Sequence, residues 1–325
     1  MNPYYSNQPR RGERPYQRPA GRDFRHQTPR REHRIGQKFF SGIAIDPSPR
    51  IRLEKGSTEL TIRALDLIAP IGMGQRGLIV APPGSGKTTF LKHICQAIAK
   101  AYPEIKLYCL LIDERPEEVT DFRRSVPAEV RFSSSDENYD HHIQTAQDLM
   151  EQVYEEAGEG ANVVVVIDSL TRLSRVHNAD RQSSGRTLSG GVDARAMEIP
   201  RRIFGSARKI ENGGSLTILA TILVETGSRM DEIIFEEFKG TGNMEIFLSR
   251  EISSRRIFPA IDIAKSGTRK EELLLDKEEL VPLQKMRRYL AAFNRVEAAK
   301  ALNEQLSKYP TNRELLLAIS KVLSE

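Results

Sequence analysis

The sequence has no tryptophan, only two cysteines and few aromatic residues, 6% of 325 positions. Two cysteines outside any CxxC pair cannot build a disulfide framework. Cys95 and Cys109 each sit in an apolar, element-like context, so both are expected as reduced core residues of a cytosolic protein. The six histidines form no metal signature, and the adjacent pair His141 and His142 points in different directions on a helix. No apolar stretch follows the charged N-terminus, so no secretory leader is read there. The longest apolar run, Leu216–Val224, falls far short of the roughly 20 residues of a membrane span. These absences exclude disulfide-stapled, zinc-dependent and membrane-spanning classes. They leave a cytoplasmic protein with no membrane partner as the expectation.

Charge is present and unevenly placed. Residues 1–38 hold ten Arg and Lys against Glu13, Asp23 and Glu32, a balance of +7. The whole chain is +5, so the remainder carries −2. The same segment is rich in Arg, Pro, Gly, Gln and Tyr and almost free of aliphatic residues. It cannot bury enough surface to offset chain entropy, and it is expected to be a disordered basic tail that seeks a polyanion. Residues 39–56 read as a connector and 57–325 as the globular part. In that part the short apolar runs Gly77–Ala81, Leu107–Ile112, Val163–Ile167, Leu216–Val224 and Met244–Leu248 read as buried parallel strands. Helical patterns such as Thr88–Ala101 and His142–Glu156 lie between them. Strands alternating with helices predict an α/β fold around a mostly parallel central sheet. From about Pro282 the chain reads as helical, with Thr311 and Glu314 as a capping box and Leu315, Leu316, Ile319, Val322 and Leu323 on one face.

The motif with the most chemical content is Ala81-Pro82-Pro83-Gly84-Ser85-Gly86-Lys87-Thr88. It follows an apolar strand and opens a helix, the context a phosphate-binding P-loop requires. Gly84 and Gly86 let the backbone of Gly84, Ser85, Gly86, Thr88 and Thr89 turn its N–H groups toward phosphate oxygens. Lys87 reaches the β and γ phosphates of ATP, and the Thr88 hydroxyl suits Mg²⁺. Val163–Ile167 ends in Asp168, a second Mg²⁺-directed position of the Walker B type. Leu111-Ile112 ends in Asp113-Glu114, and Glu114 is placed to polarise an attacking water.

Two glycine-bearing basic loops follow core strands: Ser184–Gly191, with Arg186, Thr187 and Gly190, and Glu225–Met230, with Thr226, Gly227, Ser228 and Arg229. Such loops suit a nucleic-acid backbone, and a plain surface loop accounts for them equally well. Ser266-Gly267-Thr268-Arg269-Lys270 is a basic turn. In ring ATPases an arginine from a neighbouring subunit stabilises charge on the transferred phosphoryl group.

The order of these motifs resembles the Rho family of bacterial transcription termination factors. The resemblance rests on Gly77–Pro83 entering the P-loop, Leu111–Thr120, Gly190–Ala194, Phe238–Glu245, Phe258–Asp262 and Ser266–Leu273, and it covers roughly residues 50–310. It implies a RecA-like P-loop fold and a homohexameric, RNA-dependent ATPase and 5′-to-3′ RNA–DNA helicase acting with RNA polymerase. It further implies Glu114 as base, Arg269 as arginine finger supported by Arg115, and Phe258 against the adenine. The loops with Arg186 and Arg229 would hold RNA in a central channel. The family usually has Lys at those two positions and, in its best-known members, at Gly84. The family also carries an oligonucleotide-binding domain ahead of the core, for which residues 1–56 leave no room. Two further readings stay open: a ring that occupies RNA with ATP bound but does not unwind it, and a rotary ATP synthase subunit, which shares the core but not the 266–273 string.

Overall fold

A computed structural model describes residues 36–180, 187–188, 192–193 and 195–321. The expected tail, residues 1–38, lies almost wholly outside them. The core is one sheet whose main path runs, edge to edge, Gly267–Thr268, Met244–Phe247, Arg76–Ala81, Ser215–Leu223, Asn162–Asp168, Lys106–Glu114 and Glu129–Ser134. All but the first of these strands are parallel to one another. The five apolar runs of the sequence are all strands, each within a residue or two of its expected bounds. Glu129–Ser134 is a strand that the apolar pattern does not mark. It is an outer strand with polar, half-exposed positions, so it lacks the continuous run of its neighbours.

Period-two alternation builds two cores from the same strands. Ile79, Ala81, Cys109, Leu111, Val164, Val166 and Leu219 face a layer that includes the helices Leu60–Ile68, Lys87–Ala101 and Pro116–Ser125. Their neighbours Leu78, Val80, Leu110, Ile112, Val163, Val165 and Ile167 face the helices Tyr139–Gly158, Leu170–Asp180 and Glu198–Gly205. A sheet covered on both faces explains why its strands are continuously apolar rather than alternating with polar residues.

The C-terminal region is helical, as Lys277–Leu290, Arg295–Lys308 and Asn312–Lys321. The first of these begins five residues ahead of Pro282, because Asp276 and Glu279 form a reciprocal capping box there. The Thr311 hydroxyl accepts from the Glu314 N–H at 3.2 Å, and Leu315 and Leu316 are buried. Val322 and Leu323 lie outside the described residues.

Residues 39–56 deliver Phe39, Ile51 and Leu53 to fully buried positions. Their hold on the core centres on Asp66, which accepts from Leu53 N at 3.2 Å and Glu54 N at 2.8 Å. Burial pushes the Asp66 carboxyl up to about 6, against the opposing pull of Arg50. The folded protein therefore binds this proton more tightly than the unfolded chain, whose carboxyl titrates at 3.8. Stability from this group is complete below about pH 4 and is lost as pH rises through about 6, a difference of about 3 kcal/mol. Urea melts of the parent protein and Asp66→Asn should accordingly diverge between pH 4 and pH 7, with the parent losing ground as pH rises. A gap that does not change with pH would remove Asp66 as the cause.

Candidate active site at the carboxyl edge of the sheet

The strand registers bring Ala81, Glu114, Asp168 and Leu223 to one edge: Ala81 pairs with Leu223, Ala220 with Ile167, and Leu111 with Asp168. In an open parallel sheet, this carboxyl edge is where ligands bind. The P-loop leaves the first of these strands there. Gly84 and Gly86 have φ of +74° and +89°, values an L side chain rarely adopts, and Gly86 hands over to the helix Lys87–Ala101. Buried Ser85 closes the loop on itself by donating to Pro82 O at 2.7 Å. The N–H groups at the start of that helix, from Lys87 through Thr88 and Thr89, have no partner one turn earlier, which makes them anion-binding.

Lys87 Nζ stands 2.6 Å from Asp168 Oδ1 and 3.8 Å from Glu114 Oε2. Asp168 also accepts from the Thr221 hydroxyl at 2.8 Å. Glu114 is 3% exposed and Asp168 2%, so two carboxylates and one ammonium share a dry edge. Burial raises the Glu114 carboxyl above its ordinary value. Arg172 opposes that rise, Asp168 adds to it, and Lys87 opposes it. Glu114 Oε1 meets Arg172 Nη1 at 2.9 Å, whereas the buried Oε2 has no hydrogen-bond donor among the described residues. A buried carboxylate with one oxygen oriented by a guanidinium and the other open is a general base that can take a proton from water. Phe258 is 46% exposed, and its ring edge lies 3.3 Å from where a Cβ on Gly86 would stand, so it forms an aromatic wall beside the P-loop.

Arg172 and Thr221 belong to the site although no motif marks them. Thr221 has a signal in the sequence: it is a polar residue inside the apolar run 216–224. Arg172 has none, because its partner Glu114 is distant in sequence. Arg172 also donates to Asp113 O, so one guanidinium fixes both the side chain and the strand end that carries it. Removing it should move the acidic limb of the turnover profile to higher pH, since the cation that most strongly holds the Glu114 carboxyl down would be gone. Turnover at the optimum should also fall about tenfold or more. The pH dependence of turnover for Arg172→Ala against the parent measures both, and an unmoved acidic limb would show that Arg172 does not set the charge state of Glu114.

The other expected positions lie elsewhere. Arg115, expected to support Arg269, is exposed and reaches toward Glu118 at 3.8 Å. Arg269 follows the strand Gly267–Thr268 and donates its N–H to Asn243 O at 2.8 Å. Asn243 Oδ1 in turn accepts from Arg76 N, at the start of the P-loop strand. Arg269 therefore sits at the amino edge of the sheet, at the opposite end of the strand Arg76–Ala81 from Lys87.

Thr226, Gly227, Ser228 and Arg229 follow the strand Ser215–Leu223 at the carboxyl edge. They are anchored on Asp231, which accepts from the Thr226 hydroxyl at 2.6 Å and from Arg175 Nε at 2.8 Å, with a second ion pair to Arg175 Nη2. Ser228 caps the following helix, and Arg229 is exposed at its start. Thr187 opens a two-stranded ribbon, Thr187–Leu188 against Val192–Asp193, while Arg186 and Gly190 lie outside the described residues. Among the described residues no helix is long and apolar enough to cross a membrane, and no group of three or more His, Cys, Asp or Glu could hold a metal ion.

Residues 61–268 match the family described as "ATP synthase alpha/beta family, nucleotide-binding domain". Curated relatives include transcription termination factor Rho of Haemophilus influenzae, 53% identical over 85% of this chain and 66% of that protein. Transcription termination factor Rho of Pseudomonas fluorescens biotype C is 51% identical over 87% of this chain and 68% of its own length. The chain thus spans about two thirds of the length of these relatives. Among solved structures, a prototypical ATPase from the type III secretion system of pathogenic bacteria shares the fold, with a TM-score of 0.70 at 24% identity over 84% of this chain and 85% of that one.

Proposed function

Since the chain belongs to the transcription termination factor Rho family and carries its nucleotide-binding domain, we propose that it is an RNA-dependent ATPase and 5′-to-3′ RNA–DNA helicase. It would end transcription by translocating on nascent RNA. The observation that carries this reading is the separation of charges along one strand. Lys87, Glu114 and Asp168 assemble a hydrolytic edge whose Arg172 guanidinium is already engaged by Glu114 and Asp113 O, and Arg269 lies at the far edge, where only a neighbouring subunit could use it. A closed ring of such subunits, a homohexamer by the family's pattern, completes each site with the next chain's arginine.

Mg²⁺ fits the donor set. One hydroxyl, Thr88, and one carboxylate, Asp168, with the nucleotide phosphates supplying the rest, is the sparse oxygen site this ion takes. When bound, it would neutralise phosphate charge. Phe258 would pack on the base, and the loops with Arg186 and Arg229 would hold the RNA backbone, with RNA polymerase as the larger partner. Arg in place of Lys keeps the charge of these loops and changes their donor geometry.

Two measurements test this. ATP turnover should rise with added poly(C), and an RNA–DNA hybrid should be displaced in an ATP-dependent way. Stimulated turnover without strand displacement would instead favour a ring that occupies RNA.

Residues 1–38 are proposed as a non-specific RNA-capture arm, since Tyr4, Tyr5, Tyr16 and Phe24 are interleaved with the arginines. Removing them should weaken RNA affinity and flatten its salt dependence while sparing turnover at saturating RNA. Parallel salt titrations of equal affinity would show that the arm does not bind RNA.

A further inference from the structure

The arginine assigned to act across the subunit boundary is exposed. Its position is set by the short turn that carries it, and that turn is held by a residue of the following helix. Arg287, on the helix Lys277–Leu290, donates through Nη2 to Ser266 O and through Nη1 to Ile68 O, each at 2.5 Å. Ser266 is buried, its hydroxyl donates to Asp262 O at 2.7 Å, and it accepts from Phe247 N at 2.9 Å. Gly267 follows directly, and a Cβ there would meet Arg287 Nη2 at 3.1 Å, so the guanidinium end packs close against the turn. Thr268 adds a second tie, donating to Pro70 O at 2.7 Å. Burial lowers the Arg287 guanidinium pKa, with Glu271 as its opposing carboxylate, so its charge is placed there at a desolvation cost.

A fork that bridges two backbone carbonyls from two different segments is geometry a lysine cannot reproduce with one ammonium. Ile68 ends the helix Leu60–Ile68 just ahead of the P-loop strand, and Ser266 begins the arginine-bearing turn. Arg287 thus references the turn to the same body that carries the P-loop strand.

We propose that Arg287 is a positioning residue for Arg269. It sets where the arginine arrives in the neighbouring subunit's site, without touching nucleotide itself. This rests on the reading of Arg269 as acting in trans, and the experiment separates the two.

The consequence of acting through Arg269 is directional. Arg287→Ala and Arg287→Lys should bind ATP as the parent does, because the P-loop is at the other end of the strand. Their RNA-stimulated kcat should fall about tenfold or more, the scale expected when a charged group is misplaced by about an ångström. Arg287→Lys should recover little of the loss.

Mixed rings give the decisive readout. Arg287→Ala subunits mixed with Lys87→Ala subunits should regain turnover, because some interfaces then pair an intact P-loop with a well-placed Arg269. Arg287→Ala mixed with Arg269→Ala should regain none, since both defects lie on the same side of every interface. Arg269→Ala mixed with Lys87→Ala is the control: its failure to regain turnover overturns the trans reading itself. If that control succeeds, Arg287→Ala should complement Lys87→Ala and not Arg269→Ala, and any other pattern overturns the positioning role. Should Arg287→Ala not fold, Arg287→Lys carries the same three mixtures.

Discussion

Glu114→Ala should bind ATP about as well as the parent protein and hydrolyse it about a hundredfold more slowly or worse, the scale of losing a sole general base. The side chain is not needed for binding, because the loop from Gly84 to Thr88 and Lys87 contact phosphate independently of it. It is needed for hydrolysis, because its Oε2 is a buried acceptor without a hydrogen-bond donor among the described residues, free to take a proton from water. Glu114→Gln sharpens the test: it keeps volume and the contact to Arg172 but offers no proton acceptor of comparable strength. A fluorescent-nucleotide titration and RNA-stimulated turnover, on both variants, measure the two halves. Normal turnover by Glu114→Ala would assign the base elsewhere. The raised Glu114 carboxyl adds a sign. The base is active only when ionised, so turnover of the parent should fail on acidification at a pH above that of an ordinary glutamate.

How much of the site is legible in the sequence depends on distance along the chain. The P-loop, the Walker B strand and the strand ending in Glu114 each announce themselves within about ten residues, because an apolar run and the polar group that ends it are neighbours in the chain. The parallel arrangement then places all three ends on one edge, and strand–helix alternation is enough to foresee it. Arg172, Arg175 and Arg287 are different. Each acts on a partner on another element, Glu114, Asp231 and Ser266, and a lone arginine on an amphipathic helix reads as solvated surface. The outer strand Glu129–Ser134 is hidden for a related reason, since its composition reports its half-exposed position rather than its backbone. Arg269 is legible as a candidate from its turn, while its location at the amino edge needs the pairing of Met244 with Thr268.

Lys87→Ala should lose ATP binding by about a hundredfold or more, roughly 3 kcal/mol, the upper range for hydrogen bonds to a charged group. It should also change stability in a way that depends on pH. In the parent, Lys87 Nζ lies between Asp168 Oδ1 and Glu114 Oε2 and offsets two carboxylates that are almost fully buried. Without it, Glu114 keeps its ion pair with Arg172, and Asp168 keeps its hydrogen bond from the Thr221 hydroxyl, a neutral donor. The Glu114 carboxyl should then titrate higher than in the parent, because burial and the neighbouring Asp168 charge are no longer opposed by the ammonium. A carboxyl whose folded value is raised costs stability once pH exceeds it and ceases to cost when protonated. The variant should therefore be less stable than the parent near neutral pH and close the gap as pH falls. Adding Glu114→Gln to Lys87→Ala should close much of the gap at neutral pH, since one of the two unopposed charges is gone. Urea melts of parent, single and double variants at mildly acidic and mildly alkaline pH, with nucleotide titrations at the higher pH, report both effects. Retained ATP affinity would remove Lys87 from the phosphate site. A stability gap that neither acidification nor Glu114→Gln narrows would show that the ammonium does not offset the two carboxylates.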